Sequence, residues 1–177
     1  MTKTDSRNHL AELAVHVMQE VYLPRITTCL ETLSPEQIWW RPNAASNSAG
    51  NLALHLAVNV RQWITAGLGG AADVRQRDLE FSEQGPVARR VLVARLRKAV
   101  NEASRVLKNL APEDWEAVHT IQKYRATGCE AAFHVAEHFS HHAGQIILLT
   151  KMLTSRDLKF THLPGEKRRP VRRLPAL

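Results

Sequence analysis

Cysteine is nearly absent from these 177 residues: there are two, Cys29 and Cys129, with no CxxC spacing. That excludes a disulfide framework and a cysteine-based zinc finger, and the default is a reduced, cytoplasmic protein. Long hydrophobic runs are missing too. His, Asn or Lys breaks every apolar stretch well before 18 residues, so no membrane-spanning helix is expected. The N-terminal MTKTDSRNHLAELAVHVMQ lacks the apolar core of a signal peptide. Aromatic residues are few, at 6%. No stripe of interleaved basic and aromatic side chains marks a nucleic-acid surface. Internal repeats are also missing.

Enough remains for a core. The chain is 44% hydrophobic and of a length that suits one domain. Its net charge of +7 is unevenly placed, because LPGEKRRPVRRLPAL, residues 163–177, carries +4 of it. This Pro-rich tail is expected to be a flexible appendage to a domain spanning residues 1–162. A basic tail can touch nucleic acid or anionic lipid, but a solvated end is the ordinary outcome.

Helical periodicity dominates the body. A first helix is predicted from Arg7 to about Thr32, with Pro24 as a possible kink. SPEQIWW has the pattern of a capped turn, with Ser34 as cap and Gln37 completing a capping box. A second helix follows the loop RPNAASNSAG, capped by Ser48 and stopped near Ala66 by GLGG. Residues 71–85 read as polar and irregular. A third helix is predicted from Pro86 or Val87 to Leu110, then a turn in APEDWEAV. TIQKYRAT is extended at most. A fourth helix runs from a Thr127 cap to about Leu153. Four long helices predict an all-α four-helix bundle.

The last helix contains HFSHH, residues 138–142, inside an apolar run. Imidazoles are costly to bury without partners. Residues four apart lie one above the other on a helix, so His134, His138 and His142 form a stripe. Val135, Ile146 and Leu149 share its general face, which turns the stripe inward. His141 is rotated off it. His55 lies in the second helix on a face with Leu52, Leu56, Asn59 and Trp63. A single histidine on an apolar face is usually a satisfied core residue. Inward imidazoles from two helices can instead make one tridentate site for nickel, zinc, copper or iron, with positions left open for water or substrate. HVAEH, residues 134–138, also matches an inverted zinc-protease pattern with Glu137 as base. That pattern needs a further downstream acidic ligand, and too little chain remains for a protease domain.

WWRPNAASNSAGNLALHLAVNVRQWI, residues 39–64, together with HVAEHFSHHAGQIILLTKML, residues 134–153, resembles the DinB-like superfamily of four-helix-bundle metalloproteins. The likeness rests on the NS before the second helix, its central His, the following N-x-x-x-W, and H-x-x-H-H-x-x-Q-I in the last helix. It implies an up-down-down-up bundle holding one divalent metal, commonly nickel or zinc, on His55, His138 and His142. His134 then becomes a pocket residue, a homodimer is expected, and His141 falls outside the ligand set.

The activity implied is a thiol-dependent S-transferase joining a small-molecule thiol such as bacillithiol, mycothiol or glutathione to an electrophile. His134 or Glu137 would move the proton. A metal-dependent hydrolase on the same ligands is the alternative. A non-catalytic stress-response protein whose metal staples the bundle is a third reading. The resemblance does not imply nucleic-acid binding.

Overall fold

The computed structural model describes residues 3 to 85 and 87 to 161. The predicted 163–177 tail and Pro86 lie outside them.

The first helical unit comprises α1 (Lys3–His16), a π-helical turn (Val17–Tyr22) and α2 (Leu23–Thr32). Pro24 lies at the second position of α2. Proline cannot donate a backbone hydrogen bond, and its ring crowds the carbonyl one turn back. The wider turn lies immediately before it, and the helix runs on rather than breaking. Met18, Ile26, Cys29 and Leu30 from this unit are fully buried. Burial pushes the Cys29 thiol up to about 11, as befits a core residue.

Helix α3 (Pro35–Trp39) carries the predicted capping box: the Ser34 hydroxyl accepts from the Gln37 amide, and the Gln37 side chain accepts from the Ser34 amide. Helix α4 (Ala49–Val60) begins the same way at Ser48, with Asn51 as the reciprocal partner. It continues through a second π-helical turn, Arg61–Ala66. From Ala49 to Ala57 every residue of α4 is buried, which makes it the central rod of the bundle. Gly50 is required there, since a Cβ would lie 2.9 Å from the Trp39 ring. Trp39 therefore packs on the first turn of α4.

Three segments refine the expectation. The stretch read as irregular contains a short helix, α5 (Arg77–Ser82). TIQKYRAT closes a two-stranded antiparallel hairpin, β1 (Val118–Ile121) and β2 (Tyr124–Thr127), with Ile121 opposite Tyr124. Its two turn residues, Gln122 and Lys123, both have positive φ, 53° and 73°. That handedness matches the twist of a tight hairpin, but the turn lacks the Asn-Gly signature that announces one. The third helix, α6 (Arg89–Asn109), starts two or three residues later than expected and buries Leu92, Leu96, Ala99, Val100, Ala103 and Leu107.

Helix α7 (Gly128–Thr154) is capped by Thr127 in a box with Glu130. It packs on α1, α2 and α4. Phe139 and Ile146 reach the centre of the core. The result is an all-α bundle with one small hairpin. Among the described residues no helix is long and apolar enough to cross a membrane.

Candidate metal centre

Two helices deliver the cluster. His55 comes from the middle of α4 and is buried; His138 and His142 come from consecutive turns of α7 and are half-buried. One nitrogen from each of the three lies within 4.8 Å of the others. The rings meet edge-on, with centroids 4.9 Å apart for His55–His138, 4.9 Å for His55–His142 and 4.4 Å for His138–His142.

The protons can be placed by their partners. His55 Nδ1 lies 2.8 Å from Glu80 Oε2. An Arg75 terminal nitrogen also lies 3.2 Å from Nδ1, but the carboxylate is closer and only accepts, so Nδ1 carries the hydrogen and Nε2 presents its lone pair. His142 Nδ1 lies 2.7 Å from the side-chain oxygen of Gln145, with the same consequence. His55 Nε2 and His138 Nε2 are 2.8 Å apart. Two lone pairs repel at that distance, so a proton or a cation must sit between them.

Positive charge on the imidazoles themselves is disfavoured. Burial, then repulsion by the neighbouring imidazoles, lowers His138 to about 3. Burial likewise lowers His142 to about 4, against a hydrogen bond to Gln145 that works upward. Neutral imidazole is the form that ligates a metal. Three convergent imidazoles, His138 and His142 held neutral by burial, are compatible with a metal ion and present a borderline-soft nitrogen donor set.

His134 stands beside the three rather than among them. Its ring stacks on Trp63, with centroids 3.9 Å apart, and on His138 at 5.2 Å. Its Nε2 is buried with no hydrogen-bond partner among the described residues. Burial lowers its pKa, opposed by the charge of Glu137. Glu137 itself is exposed. Among the described residues no acidic side chain joins the cluster as the further ligand that the zinc-protease pattern needs. His141 is exposed and touches only the His142 ring edge, at 4.9 Å between centroids, within the cluster.

Glu80 was not visible in the sequence reading. It lies on α5, 4% exposed, paired with the Arg75 side chain, also 4% exposed. Burial works to raise the Glu80 carboxyl pKa, but hydrogen bonds from Arg75 and His55 outweigh it and hold it below the usual carboxylate value. No spacing rule connects residue 80 to residue 55. The available signal was an acidic and a basic residue in a polar segment, which is ordinary surface composition.

The chain matches the family described as "Protein of unknown function (DUF1572)" over residues 5–167. It belongs to that family. A crystal structure of a DinB-like protein, YjoA of Bacillus subtilis, is similar in fold. Its TM-score is 0.60 at 16% identity, over 80% of this chain and 91% of that one. The DUF1572 chain thus has the DinB-like fold that its two histidine-bearing segments imply. No curated protein sequence matches it.

Proposed function

We propose that this DUF1572 protein is a metalloenzyme that holds one divalent transition metal, nickel or zinc, on His55, His138 and His142. We read its activity as a thiol-dependent S-transfer from a small-molecule thiol to an electrophile. The observation that carries the metal reading is the meeting of three imidazoles, with Glu80 and Gln145 on Nδ1 of His55 and His142 so that their Nε2 atoms serve as acceptors.

Three protein ligands rather than four favour a catalytic over a purely structural site, because positions remain for exogenous groups. A divalent metal on this set would supply Lewis acidity, lowering the pKa of a thiol or water beside it. His134 would take the released proton at its buried Nε2, which has no hydrogen-bond partner among the described residues. Exposed Glu137 would assist by charge, as its upward pull on His134 indicates. The His134 ring lies between Trp63 and His138, tilted 34° to the first and 29° to the second. Exposed Phe133, Leu148 and Met152 along α7 support a homodimer through the helices, checked by sedimentation.

The test is metal content by mass spectrometry on untagged protein beside His138→Ala. About one equivalent of divalent metal, lost in the variant, is expected. Thiol-transfer assays with and without chelator follow. Turnover without added thiol would favour hydrolysis; metal without turnover would leave a stapling role. No uptake of nickel or zinc by the wild type would sink the reading.

A further inference from the structure

Glu80 is held in more places than a surface glutamate needs. Arg75 grips both carboxylate oxygens, Nε to Oε1 at 2.6 Å and a terminal nitrogen to Oε2 at 2.8 Å. The other terminal nitrogen of Arg75 donates to the Gln62 side-chain oxygen at 2.7 Å. Gln62 sits in the π-helical turn that follows α4, and is buried. It also donates to Asp73 at 2.6 Å and accepts from Gln122 in the hairpin turn. The backbone around Glu80 is pinned as well. The Asn51 amide donates to the carbonyls of Glu80 at 3.0 Å and Glu83 at 2.7 Å, and Arg41 donates to the carbonyl of Phe81 at 2.6 Å. Phe81 then lies against the His55 ring, 4.9 Å between centroids.

We infer that the Arg75–Glu80 pair is the positioning device of the centre: it fixes His55 in the Nδ1–H tautomer with Nε2 aimed at His138, and so sets metal affinity. The inference rests on the metal reading above. Its chemistry is specific to a clamped carboxylate. An acceptor-only group dictates which ring nitrogen bears hydrogen. A bidentate arginine fork fills the remaining lone pairs, so the carboxylate neither rotates nor joins the ligand set itself. A glutamine at position 80 would present one nitrogen where two acceptors are needed, against either Arg75 or His55. Hydrogen-bond partners behind a ligating histidine typically change metal affinity by about 10–100-fold. The segment around residues 71–83, polar and with little periodicity, therefore belongs to the centre.

Two readouts on the full chain test this. One is zinc affinity by competition with a chromogenic chelator. The other is the His55 tautomer in metal-free protein, by long-range proton–nitrogen NMR. In the wild type, His55 should be the Nδ1–H tautomer. Glu80→Gln should weaken zinc binding by about 10–100-fold at unchanged stoichiometry and give mixed tautomers at His55. If E80Q loses its helical circular dichroism, the double variant E80Q/R75M, which removes both buried charges, carries the same two readouts. Wild-type affinity in a folded variant, or an Nε2–H tautomer in the wild type, overturns the inference. A wild type that takes up no zinc sinks the metal reading instead. The tautomer change on Glu80→Gln then decides the positioning role alone.

Discussion

His141 and His142 are neighbours in sequence with different surroundings. About 100° of helix rotation leaves His141 in solvent, while His142 turns to face His55 and hydrogen-bonds Gln145. Substituting them separately should therefore give different results. His141→Ala is expected to keep one equivalent of metal, and His142→Ala to lose it, read by mass spectrometry after gel filtration. A result in which both lose metal equally would move the ligand set onto HFSHH as a whole. Spacing made the stripe of His134, His138 and His142 legible, because helix geometry converts an i, i+4 pattern directly into a face. It left the role of Gln145 open, since an amide one turn on is as often solvated as bonded. Glu80 was out of reach, because its contact with His55 is made by tertiary folding across 25 residues.

Elements were readable where local hydrogen bonding decides them. The caps at Ser34, Ser48 and Thr127 all form, since each side-chain oxygen satisfies an amide that the helix start leaves free. The hairpin was hard to read because Gln122 and Lys123 take left-handed backbone angles that those residues do not advertise. Its stability comes from elsewhere: Ile121 is buried, and Tyr124 stacks on Trp63 at 6.3 Å. Among the caps, Ser48 carries the most, being fully buried and bonded to the Asn51 that also holds α5 in place. Ser48→Ala should cost about 1–2 kcal/mol in urea denaturation, at the upper end for a cap. Thr127→Ala, at a cap whose Glu130 partner is exposed, should cost less, about 0.5–1 kcal/mol. Equal costs would mean that Ser48 acts on its own helix alone.

At the scale of the whole molecule, the cluster ties stability to protons and, on the proposed function, to metal. His138 and His142 titrate near 3 and 4 in the folded protein, against about 6.5 in the unfolded chain. The unfolded state therefore binds more protons, and stability rises with pH across that interval. Metal-free protein should be fully stable above about pH 6.5 and lose stability as pH falls toward 4. Urea midpoints at pH 7 and pH 5 would show the drop, and His138→Gln should flatten it. A divalent metal that binds only the folded chain acts in the opposite sense. At a free concentration 100 times its dissociation constant it adds about 2.7 kcal/mol. For a protein of this length that raises the melting temperature by roughly 5–10 °C. With His138 and His142 lowered to about 3 and 4, both imidazoles stay neutral at pH 5, so the gain should be largely kept there and vanish with chelator. Calorimetry with zinc or nickel at both pH values checks the sign. A metal-induced rise that is equally large in the His138→Gln variant would place the ion somewhere other than the three-histidine cluster.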